Sequence, residues 1–289
     1  APSQYSENSE ALYLTSSFTQ PDSETAARRF SGEEDGYIYS RFTNPTVAAM
    51  EKRLAALEGT EACVGTSSGM SAVLLMCMGL LKAGDHVVCS QSMFGSTLKL
   101  IGSEFAKFGV PSSFASQTDV QAWKAAIRPT TRLLFAETPT NPLTEVCDIA
   151  ALAEIAHAAG ALLALDNCFA SPALQRPIEW GADIIMHSGT KFLDGQGRVM
   201  AGALCTTQAL VTPRDWRAAA ILSITAGNAT PTSMSPIARQ HARPTYWVLP
   251  AYTPTVGCTS PSCSERTVAV AAKEPATGSS PRRLNTAWN

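Results

Sequence analysis

Lys191 stands in "HSGTKFLDGQG", residues 187–197, after two hydroxyl side chains and before a run of glycines. A lysine amine serves as a nucleophile or base when its surroundings favour the neutral form. Asp166, 25 residues earlier, closes the apolar run "LLALD". A carboxylate in that place needs a partner, or burial raises its pKa. A third cluster, "GTSSGMSA" at 65–72, is made of small residues that let backbone N–H groups approach an anion. The helix expected after it adds its positive N-terminal end. The cluster lacks the lysine of a Walker loop, and no strand–GxGxxG–helix fingerprint occurs in the chain. Each feature has a plain reading by itself: a solvated cation, a helix cap and a tight turn. Taken together they suit pyridoxal 5'-phosphate, with the lysine as Schiff-base amine, the carboxylate on the pyridinium nitrogen and the small-residue loop on the phosphate. Ser188 and Thr190 are short hydroxyl donors for the same phosphate.

These residues converge only if the fold brings them together, and the hydrophobic pattern says how. "EACVG", "DHVVCS", "RLLFAE", "ALLALDN", "GADIIMHS" and "MAGALC" read as strands. Between them lie helical patterns. "TVAAMEKRLAALEG" puts Val47, Met50, Leu54 and Leu57 on one face, with Gly59 as the stop. "MSAVLLMCMGLLKAG" reads as a buried helix ending at Gly84, and "GSTLKLIGSEFAKFG", "VQAWKAAIR" and "DIAALAEIAHAAG" as further helices. Alternation of this kind predicts an α/β fold with a mostly parallel sheet covered by helices. Ligands of such sheets bind beyond the carboxyl ends of the strands. "GTSSGMS", "TPTNP", "DNCF" and "SGTK" all follow strands. Asp166 and Lys191 are then separated by one βαβ step, with Lys191 at its strand's end.

Bulk properties narrow the function classes. The chain has 289 residues, 45% hydrophobic and 16% charged, enough to bury a sizeable core. A net charge of −2 makes no case for nucleic acid. No apolar run reaches the ~18 residues of a membrane span. The start, "APSQYSENSE", lacks the pattern of a signal peptide. Eight scattered cysteines read as reduced thiols of a cytoplasmic protein, and Cys258 and Cys263, a lone C-x4-C pair, make a poor metal site. Residues 1–45 read as an extended N-terminal arm and 46–227 as the cofactor-binding α/β domain. Residues 228–289, rich in Pro, Thr, Ser and Arg, read as a divergent, poorly ordered tail.

"YSRFTNPT", "SSGMSA", "ETPTNP", "LLALDNCFASPALQRP" and "HSGTKFLDGQG" together resemble the pyridoxal-phosphate enzymes of cysteine and methionine metabolism. That family includes cystathionine γ-synthases, methionine γ-lyases and homoserine-ester sulfhydrylases. Residues 11–204 carry the likeness, which is strongest to the branch acting on O-succinylhomoserine. It implies the large domain of type I pyridoxal-phosphate transferases. It implies Lys191 as the cofactor-linked amine, Asp166 on the pyridinium, and Gly69 and Met70 giving N–H groups to the phosphate beside Ser188 and Thr190. Asn141 would bond the cofactor's phenolic oxygen and help hold the substrate carboxylate. Phe94 stands where the group commonly has Tyr; it can stack on the ring but cannot act as acid or base. Tyr39 and Arg41 would cross to the neighbouring site of a homodimer or homotetramer. The implied reaction is γ-replacement on an amino-acid ester by sulfide, with no metal. The family continues with a C-terminal small domain bearing an arginine for the substrate carboxylate. Here that domain is expected to be missing or degenerate, through a truncated or frameshifted reading. "ERTVAVAAKE" bears a superficial likeness to the arginine-bearing strand and would put Arg266 in that role.

Overall fold

Local chemistry starts and stops the elements. Asp22 accepts from Thr25 N–H and opens α1 (Ser23–Ser31), which Gly32 closes at φ 80°. Asn44, with Pro45 behind it, opens α2 (Pro45–Glu58), and Gly59 closes it at φ 78°. The computed structural model describes residues 10–211. The chain goes on through β1 (Ala62–Thr66), α3 (Gly69–Leu80), β2 (His86–Ser90) and α4 (Gly95–Lys99). There follow β3 (Ser112–Ala115), α5 (Val120–Ala126), β4 (Thr131–Glu137) and α6 (Ile149–Ala158). The described part ends with β5 (Leu162–Asp166), α7 (Ser171–Leu174), β6 (Ile184–Ser188), β7 (Gly202–Thr206) and α8 (Gln208–Val211). The tail at 228–289, Arg266, Cys258 and Cys263 lie outside the described residues.

The described strands form one sheet in the order β1-β7-β6-β5-β4-β2-β3. β3, β2, β4, β5 and β6 run parallel, and β7 is antiparallel to both β6 and β1. Alternate residues face opposite layers. Cys89, Phe135, Ala164, Ile184 and Met186 pack with Val73 and Met76 of α3. Val88, Leu134, Leu163 and Leu165 pack with Trp123 of α5 and Leu152 of α6. Both faces of the central strands are thus covered, as their unbroken apolar runs require. The six described cysteines are buried and unpaired. Among the described residues no helix is long and apolar enough to cross a membrane.

Four readings need correction. The arm at 1–45 is not wholly extended, because it carries α1. That helix is polar on average and buries only Thr25, so no run of core-facing apolar residues marks it. Residues 95–109 are not one α-helix: α4 passes into a π turn at Leu100–Glu104 and a 3₁₀ turn at Phe105–Phe108. β3 went unread, being a four-residue edge strand with mixed burial. α3 ends at Leu80 rather than at Gly84.

The inward face of α2 also differs. Leu54 is buried, but Met50 and Leu57 are exposed, and Glu58 is fully buried in their stead. Glu58 Oε1 meets His187 Nε2 of β6 at 2.5 Å and accepts from Asn167 Nδ2 at 2.8 Å. Asn167 and Gln175 exchange bonds, and Gln175 Nε2 donates to Thr138 O at 3.0 Å. A polar network therefore ties α2 to the loops beyond β4 and β5, and a helical-period reading has no reason to place an acid there. Oε1 of Glu58 takes both the His187 and Asn167 contacts, and Oε2 has no hydrogen-bond partner among the described residues. Glu58→Gln therefore keeps the acceptor but removes the charge and sets an unpaired NH₂ in this dry site. The expected cost is about 1–3 kcal/mol, read as a lower urea midpoint at unchanged m-value.

Candidate functional site

β1, β4, β5 and β6 end at the same sheet edge, and β7 begins there. Thr66 and Ser188 both pair with Gly202. Glu137 pairs with Asp166, and Asp166 with Met186. The polar segments after the strands are thus neighbours.

The segment after β1 forms the cradle. Ser68 caps α3, its Oγ accepting from Ser71 N–H at 3.1 Å. The Ser71 hydroxyl lies 3.0 Å from that of Ser67 and 2.9 Å from that of Ser68. No acidic residue stands in the first turn of this helix, so its positive end is uncompensated. A Cβ on Gly69 would fall 2.8 Å from Ser188 Cβ, which shows how closely the cradle sits against β6. A Cβ on Gly202 would fall 2.1 Å from Ser68 O. Gly202→Ala must therefore push the cradle off β7. We expect a loss of about 1–3 kcal/mol in stability, measured by denaturant melting, together with weaker phosphate binding.

Asp166 is 6% exposed and Cys168 N–H donates to its Oδ1 at 3.0 Å. Burial, and then the charge of Glu137 beside it, push its carboxyl up to about 8. Lys191 lies three residues beyond the end of β6, in a turn rather than at the strand's last position, and is exposed. Its amide donates to Ser188 O at 3.2 Å, and Gly195 N–H donates to its carbonyl at 2.8 Å. Its charge acts on Cys168, where burial dominates and pushes the thiol up to about 12. The amine is thereby coupled electrostatically to the turn that carries Asp166.

The other expected residues are placed less uniformly. Phe94, half exposed, precedes α4, and its N–H donates to Glu137 Oε2 at 2.9 Å. Asn141 is exposed, and its backbone also bonds the Glu137 carboxylate. Met70 Sδ accepts from Thr97 Oγ1 at 3.8 Å. The Thr190 hydroxyl is taken up by Ala201, donating to its carbonyl at 3.3 Å and accepting from its N–H at 3.1 Å. Tyr39 and Arg41 lie in the arm, the guanidinium 4.7 Å above the Tyr39 ring. No hydrogen bond or ion pair among the described residues joins those two to Asp166 or Lys191.

Glu137 was missed as a site residue. It is 2% exposed, and burial raises its carboxyl to about 7. The signal was present: it closes an apolar strand just as Asp166 does. Among the described residues no group of three or more His, Cys, Asp or Glu could hold a metal ion. The donor set fits pyridoxal 5'-phosphate. An uncompensated helix start lined by serines suits the phosphate, and a buried carboxylate with a single local donor suits a pyridinium N–H. A lysine stands close to that carboxylate's turn.

Comparison with known proteins gives the same direction. The profile of the Cys/Met metabolism PLP-dependent enzymes matches residues 1–233. O-succinylhomoserine sulfhydrylase of Pseudomonas aeruginosa is 54% identical over 198 residues, 68% of this chain and 49% of that protein. L-methionine gamma-lyase of Treponema denticola is 42% identical over 193 residues, 66% of this chain and 48% of that protein. The crystal structure of metY from Campylobacter jejuni, with N'-pyridoxyl-lysine-5'-monophosphate, superposes with a TM-score of 0.69 at 30% identity. It covers 74% of this chain and 53% of that one. The chain spans about half the length of the curated relatives it matches.

Proposed function

We propose a function from one premise: the chain belongs to the Cys/Met metabolism PLP-dependent enzyme family. Its reaction is γ-replacement on an activated homoserine ester, in which O-succinylhomoserine and sulfide give homocysteine and succinate, a step of methionine biosynthesis. The observation that carries the reading is the meeting of the Ser68–Gly69 helix start, Asp166 and the Lys191 turn at one sheet edge. The choice of ester and nucleophile rests on the 54% identity to a sulfhydrylase and on Phe94 in "SMFGST".

Pyridoxal 5'-phosphate, when bound, supplies the electron sink for charge developing at the substrate Cα. In this reading Gly69 and Met70 hold the phosphate by backbone N–H groups, and Ser188 adds its hydroxyl. Thr190 joins them by exchanging its bond to Ala201. Asp166, ionised, keeps a proton on the ring nitrogen. Phe94 packs on the ring, and Asn141 bonds its phenolic oxygen and steadies the substrate carboxylate. With the cofactor bound, Lys191 would take the Cα proton and, having passed it on, a Cβ proton as succinate leaves Cγ. Addition of sulfide at Cγ and return of both protons to carbon would complete the exchange. Tyr39 and Arg41 complete the site of a second copy in a homodimer or homotetramer.

Two other readings stand beside it. Methionine γ-lyase or cystathionine γ-synthase activity draws on the 42% identity to a lyase. A chain that at most binds the cofactor is the third, and turnover decides it. Absorbance titration with pyridoxal 5'-phosphate, then assay for homocysteine from O-succinylhomoserine and sulfide, separates them. Homocysteine formation supports the proposal. Products from methionine or cysteine instead select the second reading, and cofactor capture with no turnover selects the third.

A further inference from the structure

Glu137 is built into the site more deeply than its position before "TPTNP" suggests. β4 and β5 run parallel and Glu137 is in register with Asp166, so both side chains project from the same face of adjacent strands. Its Oε2 accepts from Phe94 N–H at 2.9 Å, and its carboxylate takes a second backbone bond from Asn141. Its carbonyl is held by Gln117 Nε2 at 2.7 Å, from a side chain 3% exposed. The charged and titratable groups coupled electrostatically to it are Asp166 on β5, Cys89 on β2 and Cys168 beyond β5, with the charge of Lys191 acting on Cys168. Among the described residues neither Glu137 nor Asp166 forms an ion pair. Two acids thus lie side by side in a dry place with no cation of their own.

We propose that Glu137 is the positioning residue of the cofactor ring site, anchoring the Phe94 and Asn141 backbones and taking up the proton that Asp166 must release. This rests on the pyridoxal-phosphate reading above. Two adjacent buried carboxyls do not both ionise readily, so the pair holds a proton near neutral pH. When a ring cation pairs with Asp166, the O–H bond of Asp166 breaks and one forms on Glu137. The charge on Asp166 is then balanced by the pyridinium, and Glu137 is left neutral beside it. Its two backbone bonds persist, since a protonated carboxyl keeps an accepting oxygen.

The test uses the full 289-residue chain and pyridoxal 5'-phosphate itself, with affinity read from the visible band at each pH from 5.5 to 9. Glu137→Gln keeps an acceptor for both backbone donors but cannot carry the charge. The pH at which binding is half lost should rise by up to about one unit, because without Glu137 the Asp166 proton must be given up to solvent before a ring cation can pair. Glu137→Ala removes both anchors and should weaken binding about tenfold or more. A Gln variant with an unmoved pH midpoint overturns the proposal, and so does an Ala variant that binds as well as the unchanged chain. If the Ala protein does not fold, the Gln midpoint decides alone. Absence of any visible band in the unchanged chain overturns the site reading and this proposal with it. A normal band with an unmoved Gln midpoint overturns this proposal alone.

Discussion

On the proposed function, a Lys191→Ala chain mixed with pyridoxal 5'-phosphate should show no visible absorbance from a lysine–pyridoxal linkage. Turnover of O-succinylhomoserine and sulfide should fall by about 10³-fold or more, because in that reading one side chain serves both as cofactor attachment and as the base at Cα. Lys191 is singled out by its place. Its charge acts on Cys168, whose N–H donates to Asp166, so the amine is electrostatically coupled to the turn that carries that carboxyl. Borohydride treatment of the unchanged chain should leave a pyridoxyl mass on the peptide containing Lys191. A Lys191→Ala protein that keeps the band and full turnover would remove the assignment. Replacement by Arg gives no rescue, since a guanidinium cannot form the linkage.

Asp166→Asn has the second largest effect, and it shows in two opposite ways. On the proposed function, turnover with cofactor present should fall by about 10²–10³-fold, because the amide cannot keep the ring nitrogen protonated. Without cofactor, the substitution stabilises the fold at high pH. Burial and the neighbouring Glu137 raise Asp166 from its ordinary 3.8 to about 8. The folded chain therefore holds a proton that the unfolded chain gives up above about pH 4, and stability declines as pH rises from there to about 8. An amide in place of that carboxyl has no such titration. Above pH 8 the cofactor-free variant should melt higher than the unchanged protein, and below pH 4 the two should converge. Saturating cofactor should reverse the order, since only the carboxylate gains a pyridinium partner. Melting curves across pH, with and without cofactor, read both signs. Equal curves in all four conditions would show that Asp166 is not buried beside Glu137 as described.

The strands that matter were legible because each is a short apolar run covered on both faces, and such runs stand out whatever their neighbours do. The polar clusters after β1, β4, β5 and β6 were legible for the same reason, since each begins where an apolar run breaks. α1 and β3 were not, because one is held by its caps and the other is a half-covered edge. Glu58 escaped for a different reason. Its burial depends on His187 and Asn167, more than a hundred residues away in the chain, and nothing local to α2 announces them. Asn141, Tyr39 and Arg41 entered through resemblance to a family, and their roles remain part of the proposal.

By itself, then, the sequence determined the kind of chemistry: an amine, an acid and a small-residue loop, each at the close of an apolar run. Residue type and local hydrophobic pattern are enough for that. Only the tertiary structure decided which groups touch. It set Glu137 against Asp166, laid Gly69 on Ser188 and Gly202 under Ser68, and turned the Thr190 hydroxyl toward Ala201. Those contacts come from strand register and from the order in which strands lie in the sheet. Both are set by packing between distant segments, where a shift of one residue would turn every one of these side chains to the opposite face.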